Sequence, residues 1–459
     1  SNVFIGNTAG NRNQIGVSNV FLGDSTGFFN NGNYNVFLGK SDGFNNLSGT
    51  YNTFMGFNAG RDNTSGASNT FLGYKSGYLN TNGWNNVFIG NLTGMSNTSG
   101  GNNVFIGPGS GYNNQTGYYN VFIGIGSGYS NISSAENVFV GEEAGTFNST
   151  GNANTFIGAM SGTSNTSGIA NSFLGQYSGH SDSTGSYNLY LGCGSGQAQT
   201  NGGGNVYLGA LSGANAVSGG GNILIGAWAG ASDSSNYDNV LIGYYSGAYN
   251  KTGSYNTYVG TNSGQNSTGN SNVFIGFLAG LNEKGSNKLY IDNTVSDSNS
   301  AYIYGEFDNK IIRFNSKVGI NIYPTHLIHL SGGAYSDGTI WVNSSDKNLK
   351  ENFEAVNGEK IIGLIDDLPV MKWNYKTDGQ EVKHIGPVAQ DFYSLFGLGN
   401  DDKSISSVDP PGVALVAIKE LSRQNKSMKE QIESQQKEID ELKALVNSLI
   451  VNQTAQANK

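Results

Sequence analysis

The chain has one cysteine, Cys193, in 459 residues, so no intrachain disulfide can brace it. Charge is scarce, at 12% Asp, Glu, Lys and Arg. The net charge of −9 is dispersed and no basic patch occurs, which argues against a nucleic-acid partner. No run of 18 or more apolar residues exists, so no membrane span is expected. His326 and His329 lack carboxylate or cysteine companions, and neither a metal nor a cofactor is expected. There is no start methionine or signal peptide. The chain opens at Ser1 inside a repeat and is expected to be a fragment or processed form whose attachment region lies upstream. Stability must come from stacking.

What is abundant is glycine, 69 residues of it, set on a fixed period. Seventeen times the chain returns to an Asn-anchored phrase, in most copies Asn, Val or Thr, an aromatic, Ile or Leu, then Gly, from Asn2, Asn19 and Asn35 through Asn120 to Asn256 and Asn272. The anchors are 17 residues apart except at two steps of 16. A Gly follows each anchor at the fourth and eighth positions (Gly6 and Gly10, Gly56 and Gly60), and a third usually sits near the fourteenth. Such a period marks a stacked structure whose units bury their apolar sides against their neighbours. Gly at corners supplies positive φ or close backbone approach, and four or five residues between corners leave room for one short strand. Val3-Phe4-Ile5 alternates as a strand does, and the Gly density excludes helix. The expected fold is a parallel β-solenoid or β-roll over residues 1–286, one coil per repeat.

Both faces of that strand are apolar. If a coil buries only one of them, the face carrying Phe71, Phe88, Phe105, Phe122, Tyr190 and Tyr207 forms a long exposed stripe. A rotationally symmetric bundle would bury that stripe along its axis, giving an array of roughly 80 Å at about 4.8 Å per strand. The alternative is a monomeric solenoid with wider coils. The phrase Asn-Val-Phe-Ile-Gly followed by a small residue and Gly (Ala9-Gly10, Ala59-Gly60, Ala144-Gly145) resembles the heads of trimeric autotransporter adhesins and roll segments of surface fibres. Here the repeat is longer and carries Phe where a small residue is common. The resemblance implies a trimer of rolls.

After Asn272 the pattern decays. Lys288-Leu-Tyr-Ile-Asp292 reads as a last, capping strand, and residues 287–343 hold alternating segments broken at Pro324 and Gly332-Gly333, expected to form a β neck. From Ser344 the composition turns Gly-poor and charged. A helix is expected near Ser345, with Ser345 or Asp346 as cap. A second begins near Val413 and becomes a heptad run with Leu421, Met428, Gln435, Leu442 and Leu449 at d and Asn425, Ile432, Ile439 and Val446 at a. That is a coiled coil over 416–452, with a disordered tail at 453–459. Three strands would match the symmetry inferred upstream.

Residues 344–425 resemble the intramolecular chaperone domain at the C-terminus of phage endosialidases, tail fibres and some membrane-bound transcription factors. The matching pieces are Ser345-Asp346 with Lys350, Leu368-Pro369 with Trp373, Gly386-Pro-Val-Ala-Gln-Asp391, and Ala417-Ile-Lys-Glu-Leu421. Pro387 and Val388 stand where bulkier apolar residues are commoner, and Trp373 with Tyr375 only approximates the family's aromatic pair. The resemblance implies a small α+β domain over 344–415 with a Ser–Lys dyad, Ser345 the nucleophile and Lys350 its base. The cut would fall between Ser344 and Ser345, once per chain. A lysine serves as base when desolvation or nearby positive potential lowers its pKa, and a helix N-terminus ahead of Lys350 is the expected source. On the residues alone, Ser345 reads as a helix cap and Lys350 as a solvated charge; the dyad is what the resemblance implies.

Three functions follow. The first is a trimeric tail fibre of a phage or phage-like particle, located on a virion tail and binding a host surface glycan or protein receptor. Tyr51, Tyr78, Trp84, Tyr112, Tyr118, Tyr119 and Tyr129 lie at turns, where they can stack on sugar rings or simply pack. The second is a bacterial cell-surface adhesin or structural fibre. The third, a polysaccharide depolymerase, needs a carboxylate pair in a cleft, and the array offers only Glu142-Glu143, Asp62 and Asp182.

Overall fold

The computed structural model describes residues 1–232 and 234–457, the last four as backbone. The chain divides into two units, Ser1–Ser316 and Lys317–Lys459. This boundary falls within the segment expected to form the neck.

Among the described residues, the first unit holds seventeen array strands, from β1 (Val3–Ile5) to β17 (Val273–Ile275). Each lies parallel to the next with equivalent residues side by side, as in Phe71↔Phe88, Phe88↔Phe105 and Phe105↔Phe122. This is a β-solenoid of 17-residue coils.

The Phe and Tyr column lies inside each coil, which corrects the expectation of an exposed aromatic stripe. Phe54, Phe88, Phe122 and Tyr190 are fully buried within the single chain. From Phe88 to Phe173 the rings stack with centroids 4.7–4.8 Å apart and planes 4–10° from parallel. The spacing equals the strand repeat, so register and ring stacking reinforce each other. Room for the ring comes from the eighth-position glycine. A Cβ on Gly60 would lie 2.5 Å from Phe54 Cε2. The outward face of each strand is instead the Val and Ile pair.

Two amide ladders complete the coil interior. The Oδ1 of each anchor Asn accepts the backbone N–H of the anchor one coil on, as at Asn52 to Asn69, 2.9 Å, and Asn103 to Asn120, 3.0 Å. Its Nδ2 donates to the carbonyl at its own coil's fourteenth position, as from Asn52 to Gly66, 2.9 Å. The second ladder, eleven residues after the anchors, runs side chain to side chain from Asn30 to Asn165: Asn80 Nδ2 to Asn63 Oδ1, 2.6 Å, and Asn97 Nδ2 to Asn80 Oδ1, 2.7 Å. These bonds satisfy amides that would otherwise be costly to bury. At the strand exit, Gly141 has φ +140°, and a Cβ there would lie 2.5 Å from the carbonyl oxygen of Gly158 in the next coil.

The array ends with β18 (Lys288–Ile291), parallel to β17, followed by the antiparallel β19 (Ile303–Glu306) and β20 (Ile311–Phe314). These two strands continue the array's sheet, which is why residues 287–316 belong with it.

The second unit opens with a four-stranded sheet: β21 (Val318–Ile320), β22 (Ile328–Leu330), β23 (Tyr335–Ser336) and β24 (Trp341–Val342). Then come α1 (Gly358–Asp366), the hairpin pair β25 (Met371–Trp373) and β26 (His384–Gly386), α2 (Ala389–Phe396) and α3 (Asp409–Ala457). No Gly or Pro follows Gly412, so nothing breaks α3 at 452. The helix runs through 453–457, where a disordered tail was expected; 458 and 459 lie outside the described residues. Among the described residues of this unit, only Phe392, Val413 and Ala417 are buried.

Candidate functional site

Ser345 and Lys350 meet. Lys350 Nζ donates to Ser345 Oγ at 2.7 Å, and both side chains are exposed. The local fold that joins them differs from the expected helix. Asp346 caps only a single 3-10 turn, Lys347–Leu349, its carboxylate accepting from the Asn348 N–H at 2.9 Å. Lys350 is the C-cap of that turn in extended conformation, and Asn352 has φ +55°. The extended Lys350 ends helical propagation, so α1 waits for its own cap, Asn357, whose side chain accepts from the Lys360 N–H at 3.1 Å. The helix N-terminus expected ahead of Lys350 is therefore absent. The tight turn followed by an extended residue instead lets a side chain five positions on reach back to Ser345.

The residues before Ser344 are anchored from a distance. Trp341 Nε1 donates to Asn343 Oδ1 at 3.2 Å, and Asn343 Nδ2 donates to Ser407 Oγ at 2.9 Å. Ser407 is 64 positions away, and nothing in the sequence marks the pair.

The other motif residues fall on neighbouring elements. Leu368-Pro369 follows the C-cap of α1. Trp373 ends β25, with its indole Nε1 donating to the Gly386 carbonyl at 3.3 Å. Gly386 closes β26, Val388 is the N-cap of α2, and Asp391 lies in its first turn. Trp373, Tyr375 and His384 cluster, with ring centroids 4.9–5.6 Å apart. His384 Nε2 lies 3.6 Å from Asp378 Oδ2. The histidine's part in that cluster was not foreseen.

Residues 345–397 match the family model of the chaperone of endosialidase. This segment is a chaperone-of-endosialidase domain. The match starts at Ser345 itself, and the β-solenoid stands before it. The search of curated proteins and the search of solved structures return no match. Beyond the chaperone domain, the heptad residues Leu421, Asn425, Met428, Ile432, Gln435, Ile439, Leu442, Val446 and Leu449 lie on α3, all exposed in the single chain.

The structure separates the other candidates. Trp84, Tyr118 and Tyr119 come together with Ser99, Gly101, Asn102 and Thr116 around a notch of about 250 Å³ spanning three coils. Tyr51 stacks on Tyr34 and Tyr112 on Tyr129, while Tyr78 lies near the cations of Arg61 and Lys75. Asp182 is inside the coil, Asp62 is paired with Arg61 at 2.7 Å, and Glu142 and Glu143 are exposed. Asp182 therefore faces no substrate. In the sheet of the second unit, His326 stacks on Tyr335 with centroids 3.5 Å apart, and His329 stands edge-on to His326. No helix among the described residues is long and apolar enough to cross a membrane.

Proposed function

We propose that the chain is a trimeric fibre protein of a phage or phage-like tail, whose C-terminal domain aligns three copies and then leaves by one self-inflicted cut before Ser345. A β-solenoid joined to a chaperone-of-endosialidase domain suggests a tail-fibre or tailspike-like protein. The observation that carries the trimeric reading is the second unit's lack of an interior. The three side chains buried among this unit's described residues cannot stabilise it, while Leu349, Phe353, Ile385 and the heptad seam of α3 stay exposed. Partner copies supply the missing contacts in this reading, with the seam forming a three-stranded coil.

An alignment device has a physical purpose here. Slipping one chain by a whole 17-residue coil preserves nearly every contact, so the array does not fix its own register between copies. A nucleus that sets the C-terminal ends level removes that degeneracy. Its later loss leaves the shaft held by the unfolding barrier.

For the cut, Ser345 Oγ adds to the carbonyl carbon of Ser344 while Lys350, as the free amine, takes the hydroxyl proton. The Ser344–Ser345 C–N bond breaks, the leaving nitrogen is protonated, and an ester joins the Ser344 acyl group to Ser345 Oγ. Water hydrolyses the ester, leaving a carboxylate on Ser344 and a free amine on residue 345. The 2.7 Å contact supports this assignment. Whole-chain expression followed by mass measurement tests it. A released fragment beginning at Ser345 is expected, and it should vanish in Ser345→Ala and Lys350→Met. An uncut wild-type trimer would remove the peptidase step while leaving assembly standing.

The receptor contact we assign to the Trp84 notch. Its lining offers aromatic faces with hydroxyl and amide groups and no charge, chemistry suited to a neutral saccharide.

A further inference from the structure

The outward face of the array strands carries the residues one and three after each anchor. In seventeen coils neither position holds a charged residue. The third position is Ile, Leu, Val or Met throughout, and the first is Val, Ile, Leu, Thr or Ser. Parallel pairing lines them up rung by rung, for example Val104↔Val121 and Ile106↔Ile123. With the aromatics turned inward, this face stays solvent-accessible in the single chain: Ile5 is 59% exposed, Leu22 49%, Leu174 44% and Ile275 41%, while mid-array pairs such as Val104 and Ile106 are half-buried.

Several other outward columns admit charge, and the two that hold none, thirteen and fifteen residues after each anchor, mix Ser, Thr, Asn and Gly with their apolar residues. Lys40, Glu143, Arg61 and Asp62 occupy the two sides that follow the strand, and Glu136 and Asp238 the corner before the next anchor. An uncharged column has a particular meaning when the partner is a copy of the same chain. Around a rotation axis each residue meets its own duplicate, so any charge would face a like charge at every rung. A strip about 80 Å long and roughly 10 Å wide offers on the order of 800 Å², the area each partner gives to a stable interface. A face that large, flat and apolar is rarely left open on a monomer.

We infer that this Val and Ile face is the surface along which copies of the solenoid pack, turned toward a common threefold axis with equal rungs level. The inference rests on the trimeric reading above and names the shaft surface that serves it. It replaces the aromatic stripe as the assembly face. The partner is a second and third copy of this chain, whose repeat alone matches the strip at every rung.

The test uses the full chain with Cys193→Ser, so that a single introduced thiol reports. Ile106→Cys places that thiol on the face, and Ser99→Cys places it on another side of the coil as a control. Treatment with a short bismaleimide should link Ile106→Cys chains to one another at least several-fold more than Ser99→Cys chains. A mixture of Ile106→Cys and Ile123→Cys chains, assembled together, should give links between equal positions in preference to unequal ones. A trimeric native mass with no preferential linking at 106 would overturn this surface and leave the trimer intact. A monomeric native mass for the Cys193→Ser chain would remove the trimeric reading itself, and this inference with it.

Discussion

Asp182 follows Asn165 in the inner amide ladder, and the Oδ1 of Asn165 is left without a donor. Where Asn97 and Asn114 pass a side-chain N–H to the rung before, a carboxylate has none to give. Burial pushes the Asp182 carboxyl up to about 7, against the pull of the Gly185 N–H and the Asn188 amide. Asp42, buried in another coil, rises to about 7 for the same reason, although it accepts from Gly56 and Ala59. For each, the native pKa exceeds the ordinary 3.8. The unfolded chain releases these protons first as pH rises, so stability falls between about pH 4 and pH 7 and is level above. The loss is at most about 4 kcal/mol per group. Unfolding followed at about pH 5 and pH 8 should show the shaft weaker at the higher value. Asp182→Asn should restore the rung, raise stability at pH 8 and flatten part of the slope.

Phe122→Ala empties one rung of a stacked column and should cost about 3–5 kcal/mol. Phe122→Leu should cost much less, because the same column natively runs through Leu224 and Leu241. Denaturant unfolding of the two variants decides this. Equal effects would mean that ring stacking, rather than filled volume, holds the coil.

The glycine pattern made the coil legible, but not its inside. Val-Phe-Ile alternation shows two apolar faces without saying which is enclosed. The deciding fact is the space that the eighth-position glycine leaves under the ring, as at Gly60 beneath Phe54. Two corners per coil also hide from sequence. Leu92 adopts φ +57° and Tyr119 φ +56°, and neither identity announces it. In the second unit, Ser345 and Lys350 were readable as a pair through family motifs, whereas the 3-10 turn that joins them was not. An Asp that caps one turn looks in sequence like an Asp that caps a helix; the turn ends at Lys350 in extended conformation, and Asn352 follows in the left-handed region.

Gly141→Ala should destabilise the array by more than an ordinary Gly to Ala change, on the order of 2 kcal/mol or above. Its φ of +140° disfavours any side chain, and the Gly158 carbonyl oxygen fills the space. Gly363→Ala, within α1 and with nothing near its Cβ position, is the control and should be neutral or mildly stabilising. Thermal unfolding of both variants checks the contrast.

Binding at the notch is checked with an array of neutral oligosaccharides. Trp84→Ala and Tyr118→Ala should each lower retention on whichever glycan the wild-type chain holds, at least several-fold. Tyr51→Ala, on a stacked pair outside the notch, should not.

The central claim is that three copies assemble through a C-terminal domain that then cuts itself away. Native mass spectrometry of the expressed full chain tests it most directly. The account predicts a trimer of shafts ending at Ser344 and a separate fragment of residues 345–459, with Ser345→Ala giving an intact trimer of full-length chains. A monomer of uncut chains in both samples would contradict it.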